Sequence, residues 1–199
     1  MDLAAMREQY GLAGLDETDL APDPMTQFAV WFDAWASTDP FDANLAVLAT
    51  VGDDGWPQSR AVLVKGADDR GFVFHTNRRS EKGRALAANG RAALTFVWRE
   101  IERQIRVVGP AELLPDDESD LYFASRPRGA QVGAWASDQS TVLATRAELE
   151  ASRCGGGRAP GRRAETTALG RLPDPAPAGR VLAGASRPAA RSAPLSPRW

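Results

Sequence analysis

The chain has few of the residues that build disulfides or metal sites. Among its 199 residues there is one cysteine, Cys154, and one histidine, His75. A single cysteine cannot form an internal disulfide, and one cysteine with one histidine is too few for a zinc site of the usual kind. The sequence therefore predicts a protein without a metal site, whose chemistry depends on other side chains.

Long apolar runs are also absent. No stretch of about 18 apolar residues occurs, and the N-terminus, MDLAAMREQYG, has no basic segment followed by an apolar one. We therefore expect neither a membrane span nor a signal peptide, and we expect a cytoplasmic protein. The hydrophobic content of 43% is that of an ordinary globular domain.

Charge is distributed unevenly along the chain. Residues 1–150 carry 15 Lys and Arg against 24 Asp and Glu, a formal charge of −9, whereas residues 151–199 carry 9 against 2, or +7. The second segment contains 11 Ala, 9 Arg, 7 Gly and 7 Pro, a composition that buries little apolar surface. It is predicted to be a disordered tail. Its arginines leave nucleic-acid binding as an alternative, but interleaved aromatic residues are missing and we expect no nucleic-acid partner.

A helix is predicted where Asp23 precedes Pro24, because this pair is a typical helix cap and first turn. Four aromatic residues follow with the spacing of one helix face: Phe28, Trp31, Phe32 and Trp35. Such a stripe could hold a flat cofactor, but the spacing is more typical of core packing, and we assign the stripe to the core.

From Asn44 onward the sequence favours strands. Five short β-rich runs are separated by turns and by one helix: LAVLATV, RAVLVKG, GFVFHTN, ALTFVW and RQIRVVGPAELL. Ser80 is positioned to cap the helix EKGRALAAN, which stops at Gly90. A further helix is predicted from Pro115 to Phe123. Five antiparallel strands with flanking helices indicate a barrel or a sandwich.

Several side chains are suited to binding an anionic, aromatic ligand. Arg60 and Lys65 are five residues apart in one strand, so they point to opposite faces unless a bulge intervenes. Lys82 follows Ser80 at the start of a helix, where a phosphate would meet both an ammonium and backbone N–H groups. Gln104 offers a donor and an acceptor for the edge of a heteroaromatic ring. Spacing alone leaves open that these are solvated surface residues.

The segment from Leu121 to Ser140 reads LYFASRPRGAQVGAWASDQS. Together with DPMTQF, RAVLVKG, VFHTN, SEKG and ERQIRVVG, it resembles the pyridoxamine 5'-phosphate oxidase family over roughly residues 6–150. The resemblance implies a mainly β fold with flanking helices: an antiparallel, Greek-key-like, FMN-binding split β-barrel. It implies a lid segment over residues 1–22 and a barrel domain over 23–150, which we expect to be incomplete and to be followed by the tail over 151–199. It also implies a homodimer with two FMN sites at the subunit interface.

The resemblance implies the activity and the site residues. The activity is FMN-dependent oxidation of pyridoxamine 5'-phosphate or pyridoxine 5'-phosphate to pyridoxal 5'-phosphate, with O₂ as acceptor and H₂O₂ as product. The implied cofactor-binding residues are Arg60, Ala61, Val62, Leu63, Val64, Lys65, His75, Thr76, Glu81, Lys82, Gln104, Gln139 and Ser140. The implied substrate-binding residues are Lys65, Tyr122, Arg126 and Ala130, with Arg7 and Tyr10 from the lid. His75, Glu81 and Ala130 depart from the family pattern of an aromatic residue, an arginine and a serine, which predicts weaker phosphate binding.

The end of the family pattern is missing after Glu150. The family continues with a tryptophan-glycine-glycine segment and a loop reading approximately FWQGR, RLHDR, whose arginine and histidine contact the substrate. Synonymous codons exist for which Leu169 to Asp174 reads WGGYRI after a shift of one base, and Val181 to Leu195 then reads FWQGRPDRLHDRLR. We therefore hypothesise that residues from about 151 onward are an out-of-frame translation.

The chain as written is expected to lack the last barrel strand and the loop's catalytic residues. This predicts a weak dimer, weak FMN retention and little turnover, because a lost strand exposes a sheet edge. One alternative is a split-barrel protein that binds flavin or pyridoxal phosphate without turnover. Another is a different split-barrel flavin oxidoreductase, which would lack the combination of Lys65, Tyr122 and Arg126.

Overall fold

The computed structural model describes residues 11, 14–136, 139–143, 145–147, 150–151 and 166–172. The elements are α1 (Pro24–Ala36), β1 (Leu45–Val51), β2 (Pro57–Asp68), β3 (Gly71–Asn77), α2 (Glu81–Asn89), β4 (Arg91–Trp98), β5 (Arg103–Pro110), α3 (Asp116–Ser125), α4 (Arg128–Ala136) and β6 (Thr166–Leu172). A short 3-10 turn, Glu17–Asp19, precedes them. No helix in these described ranges is both long and apolar enough to cross a bilayer.

The strands form one antiparallel sheet in the order β5-β4-β1-β2-β3-β6. The first three strands are joined as a meander, and the chain then returns through α2 so that β4 pairs with β1, which is the Greek-key order. The two edge strands, β5 and β6, also contact each other, so the sheet curls round as a split barrel. The predicted fold class is confirmed.

One face of the sheet and one face of α1 make the core. Leu48, Phe74, Leu94, Phe96 and Trp98 each expose 1% or less of their surface. They are covered by the aromatic stripe of α1, in which Phe28 and Trp31 are 8% exposed and Phe32 and Trp35 pack against the same cluster. The stripe is therefore core, as its spacing predicted, and it is not available to grip a cofactor.

The sixth strand was not expected from the sequence. The segment 151–199 was predicted to be a disordered tail, with the last barrel strand missing. Within that segment the structure has β6, which pairs antiparallel with β3 from the Thr76↔Thr167 pair to the Phe72↔Leu172 pair. The expectation was wrong for these seven residues, because backbone pairing to a free sheet edge does not depend on the apolar content on which the prediction was based.

Ser80 links β3 to α2 through both functions of its hydroxyl. The Oγ atom accepts a hydrogen bond from the Gly83 N–H at 3.2 Å, and the O–H group donates to the Asn77 carbonyl at 2.6 Å. The helix ends at Gly90, whose φ of 64° is the left-handed conformation that glycine adopts without strain. The predicted cap and stop of this helix are both confirmed.

Replacing Ser80 with alanine should lower the free energy of unfolding by about 1–2 kcal/mol, because the capping bond is lost and the Gly83 N–H is buried. Urea denaturation measures the difference. Ser37→Ala is the matched control: Ser37 is exposed at the C-terminal end of a different helix, α1, and loss of its hydroxyl should change stability by less than about 0.5 kcal/mol. Equal losses for the two variants would contradict the assigned role of the Ser80 hydroxyl.

Candidate functional site

A cavity of about 500 Å³ opens where β2, the first turn of α2 and the segment after α4 meet. This volume is within the usual range for small-molecule sites. The lining residues are Gln58, Ser59, Arg60, Glu81, Lys82, Gln139 and Ser140. Five of these seven were predicted cofactor-binding residues, so the structure brings together side chains that are about 80 positions apart in the sequence.

Arg60 is the most firmly held cation of the cavity. Its guanidinium donates to the Thr50 hydroxyl at 2.8 Å and to the side-chain carbonyl of Gln58 at 3.1 Å. Burial lowers the pKa of Arg60, and the nearby Glu81 carboxylate opposes that effect. The guanidinium is therefore fixed in place, and the Glu81 carboxylate offsets only part of its positive charge.

Lys82 lies beside Arg60 in the first turn of α2 and is 8% exposed. Burial is the main cause that lowers the pKa of Lys82, and the positive charge of Arg60 lowers it further, while Glu81 raises it. No described residue forms an ion pair with Lys82. Two neighbouring cations at a helix N-terminus favour a bound anion, because an anion removes their mutual repulsion and meets the positive end of the helix dipole.

Glu81 is the carboxylate of this otherwise cationic cavity. It is exposed, and it accepts a hydrogen bond from the Gln58 side-chain amide at 2.8 Å. Because it stands one position from Lys82, it reduces the positive charge available to a phosphate. Weaker phosphate binding was predicted because Glu81 stands where an arginine is common in the family. The position of the Glu81 carboxylate in the cavity gives a physical basis for that prediction.

Gln139 and Ser140 lie beside the end of β3 and line the cavity. The Gln139 side-chain carbonyl accepts hydrogen bonds from the Thr76 hydroxyl at 3.2 Å and from the Asn77 N–H at 3.4 Å. Ser140 has a φ of 67°, a turn conformation. Thr76 and Gln139 were both predicted cofactor-binding residues, and the structure places them in direct contact.

A second group of predicted residues gathers on the other side of β2. In β2 the even-numbered Arg60 and Val64 face the core side, whereas Lys65 is exposed. A bulge between Val64 and Gly66 makes Lys65 the extra residue of the strand. Burial is the main cause that lowers the pKa of His75, and the positive charges of Lys65 and Arg126 lower it further, so each of these cations lies within electrostatic range of His75. Arg60 and Lys65 therefore point to opposite sides of β2, as strand alternation predicted, although a bulge intervenes at Lys65.

Tyr122 completes this second group. Its ring lies flat on the His75 ring, with a distance of 3.5 Å between ring centroids and an angle of 4° between planes. Arg126 follows the last residue of α3, and its guanidinium lies 5.8 Å from the centroid of the Phe123 ring. The combination of two cations and a phenol is suited to a phosphate monoester.

The other predicted site residues are more scattered. Gln104 is exposed on β5, three strands from β2, and it opposes Val97, so a single chain does not bring it to the cavity. Ala61 and Leu63 are exposed and Val62 is half-buried, while the Val64 side chain is in the core. Ala130 is half-buried in α4. Arg7 and Tyr10 lie outside the described residues.

Sequence reasoning missed three residues of the first site: Thr50, Gln58 and Ser59. Gln58 was predictable, because residues two apart in a strand share a face and Gln58 is two positions before Arg60. Thr50 becomes a partner of Arg60 only through the β1–β2 register, which pairs Thr50 with Gln58. No local sequence signal could have shown that contact.

The cavity fits the phosphate end of FMN, because it combines two cations whose charge is only partly offset, Arg60 and Lys82, with neutral hydrogen-bonding side chains. Solved structures with a similar fold support this interpretation of the cavity. PhzG from Burkholderia lata, solved with tetrahydrophenazine-1-carboxylic acid, aligns with a TM-score of 0.72 and 30% identity over 78% of this chain and 79% of PhzG. A pyridoxamine 5'-phosphate oxidase-related, FMN-binding protein from Nostoc punctiforme shares the fold, with a TM-score of 0.59 and 15% identity over 77% and 83%. The fold and site define an FMN-dependent split-barrel oxidoreductase.

Sequence relatives identify the family. The family model described as pyridoxamine 5'-phosphate oxidase matches residues 39–152. Pyridoxine/pyridoxamine 5'-phosphate oxidase from Burkholderia multivorans is 56% identical over 149 residues, which are 75% of this chain and 70% of the relative. The protein of the same name from a Nocardioides species is 55% identical over 152 residues, 76% and 71% of the two chains. The chain belongs to the pyridoxamine 5'-phosphate oxidase family, and its cofactor is FMN.

Proposed function

We propose that this chain oxidises pyridoxamine 5'-phosphate or pyridoxine 5'-phosphate to pyridoxal 5'-phosphate, with O₂ as electron acceptor and H₂O₂ as product. The observation that carries the proposal is that the chain has two separate groups of cationic side chains, which lie on opposite sides of β2. One surrounds Arg60 and Lys82, and the other surrounds Lys65 and Arg126. A phosphorylated cofactor and a phosphorylated substrate require two such groups.

Each group has its own task in the proposed reaction. Arg60, Lys82 and Gln139 would hold the FMN phosphate and its polar chain, and when bound, FMN supplies the redox chemistry. Lys65 and Arg126 would bind the substrate phosphate and thereby fix the position of the pyridine ring. Fixing the ring is the main contribution available to these side chains, because orientation of bound reactants lowers the barrier without any proton transfer by the protein.

The outer face of the sheet supports assembly as a homodimer. Leu45, Val47, Leu63, Val97 and Val108 lie on this face and are 36–57% exposed, which is unusual for a group of neighbouring apolar residues in a monomer. Gln104 lies on the same face, beside Val97. We propose that two copies pair through this face, so that Gln104 of the partner subunit reaches the flavin ring.

The sequence after residue 150 affects the catalytic turnover rate that we expect of this chain. The tryptophan-glycine-glycine and RLHDR strings of the family are absent from the written sequence. We propose that residues from about 151 onward are read out of frame and that turnover is reduced as a result. The nucleotide sequence is the test: codons that cannot give WGGYRI after a one-base shift would refute the frame change.

A second candidate is another flavin oxidoreductase with a different substrate. PhzG shares the fold at 30% identity, and its solved ligand is a tetrahydrophenazine carboxylic acid rather than a phosphate ester. In this chain the Lys65, Tyr122 and Arg126 group favours a phosphorylated substrate. A third candidate, flavin binding without turnover, fits the absence of the family's last loop.

One experiment separates these candidates. Purified protein is titrated with FMN, freed of oxygen, and mixed with pyridoxamine 5'-phosphate while flavin absorbance is recorded. Loss of the absorbance band, followed by peroxide when air is admitted, is expected for the oxidase. A retained band with bound FMN would indicate binding without turnover, and loss of the band only with an unphosphorylated substrate would indicate the second candidate.

Replacing Arg126 with alanine should raise the KM for pyridoxamine 5'-phosphate about 10-fold, the effect of one charge-assisted hydrogen bond, and change kcat less. The KM for unphosphorylated pyridoxamine should not change. Arg128→Ala is the matched control, because Arg128 is exposed two positions further along at the start of α4. Steady-state peroxide assays measure the constants. If both substrates responded equally to Arg126→Ala, the assignment of Arg126 to the substrate phosphate would be wrong.

A further inference from the structure

The rings of His75 and Tyr122 are stacked on each other beside the second group of cations. His75 is in β3 and Tyr122 is in α3, so their stacked rings join the sheet to the helix that precedes Arg126. The angle of 4° between planes and the centroid distance of 3.5 Å describe two rings in full face-to-face contact. A phenol that belongs to a phosphate site is therefore held by an imidazole that the phosphate itself need not touch.

The surroundings keep this imidazole neutral. Burial is the main cause that lowers the pKa of His75 to about 4, and the positive charges of Lys65 and Arg126 lower it further. The Nδ1 atom is buried and has no hydrogen-bond partner among the described residues. At neutral pH the His75 ring therefore adds no charge to the phosphate group, and no polar contact with the part of the chain that the structure describes explains its position. The property of the His75 side chain that accounts for its contact with Tyr122 is therefore its flat aromatic surface.

The other end of α3 is attached differently. Arg78 pairs with Asp116 at 2.9 Å and Arg70 lies 3.9 Å from Glu118, so ion pairs fix the first turn of the helix. Both of these contacts are solvent-exposed and contribute little. They are also two turns away from Arg126. α3 also lies against β6. Among the described ring contacts, the stacking on His75 is the one that joins the Tyr122 side of the helix to β3.

We propose that His75 is a positioning residue for the substrate phosphate: its ring holds the Tyr122 ring in place, so that the phenol, Lys65 and Arg126 meet one phosphate. The inference rests on the proposed function, and it replaces the role implied by the resemblance, in which this position only contacts flavin. An aromatic residue at position 75 should fulfil the role, whereas an aliphatic residue of similar volume should not.

Three variants of the full chain test the proposal: His75→Phe, His75→Leu and His75→Ala. Binding of pyridoxal 5'-phosphate is measured by equilibrium dialysis, FMN affinity by titration and folding by thermal unfolding. His75→Leu and His75→Ala should bind pyridoxal 5'-phosphate about 3- to 10-fold more weakly, the factor that corresponds to one aromatic pair. The affinity of His75→Phe for pyridoxal 5'-phosphate should be within about 2-fold of that of the natural chain. FMN affinity should be unchanged, and in turnover KM should rise with little change in kcat.

The outcomes are distinguishable. If His75→Ala does not fold, the comparison of His75→Phe with His75→Leu decides. The positioning role of the ring would be overturned if these two variants bound pyridoxal 5'-phosphate equally well. It would also be overturned if the affinity for FMN fell by the same factor as the affinity for pyridoxal 5'-phosphate. If the natural chain binds FMN but no pyridoxal 5'-phosphate, the proposed substrate is wrong and this inference fails with it.

Discussion

Replacement of Lys82 with alanine should weaken FMN binding by up to about 100-fold, the upper end of the effect of one charge-assisted hydrogen bond. Lys82 is buried beside Arg60, and no described residue pairs with it, so its charge is available to a phosphate. Fluorescence quenching of FMN measures the dissociation constant. Riboflavin, which has no phosphate, should bind equally to the variant and the natural chain.

Two further variants control this result. Arg91→Ala removes an exposed positive charge at the start of β4 and should leave FMN affinity unchanged, because Arg91 does not line the cavity. Lys82→Arg keeps the charge but places a larger head group in the cavity, so we expect only partial recovery. A parallel loss of riboflavin affinity in Lys82→Ala would show that the substitution disturbs the fold, and the assignment of Lys82 to the phosphate would fail.

The second large effect is expected at Gly83, where alanine should cost about 3 kcal/mol of unfolding free energy. A Cβ atom at this position would overlap the backbone carbonyl oxygen of Arg78 and lie 2.6 Å from that of Asn77. Backbone cannot move aside as a flexible side chain can. The Asn77 carbonyl also accepts from Ser80, so the displacement would disturb the capping of α2 and the position of Lys82.

Gly129→Ala is the matched control for the glycine variant. A Cβ atom at Gly129 meets nothing within 4 Å, and Gly129 is in α4, where alanine should be neutral or stabilise by up to about 1 kcal/mol. Urea denaturation of both variants gives the two free energies. We expect opposite signs, and a Gly83→Ala variant as stable as the natural chain would show that the β3–α2 junction is looser than the structure indicates.

Elements with strong local signals were predictable from the sequence. The alternation in LAVLATV and GFVFHTN gave β1 and β3 with their observed ends, and Ser80 and Gly90 gave both ends of α2. In each case the residues that define the element lie within it or next to it. Strand alternation also predicted that the Arg60 and Lys65 side chains point to opposite sides of β2, but it did not predict the bulge at Lys65.

Features that depend on distant contacts were not predictable in this way. The residue signal for a strand was weak in Thr166–Leu172, whose pairing depends on the free edge of β3. The stacking of His75 on Tyr122 requires α3 to lie over that part of the sheet, and nothing near His75 in the sequence indicates it. Gln104 shows the same limitation at the level of assembly, since its proposed role requires a second chain.

The distance along β2 has a consequence for how the two ligands influence each other. Five residues of extended strand separate Arg60 from Lys65, which corresponds to about 16 Å. At physiological ionic strength electrostatic repulsion between exposed charges decays over about 8 Å, so two bound dianions at this separation would repel only weakly. Repulsion between the two phosphates should therefore do little to weaken the binding of either ligand when the other is present.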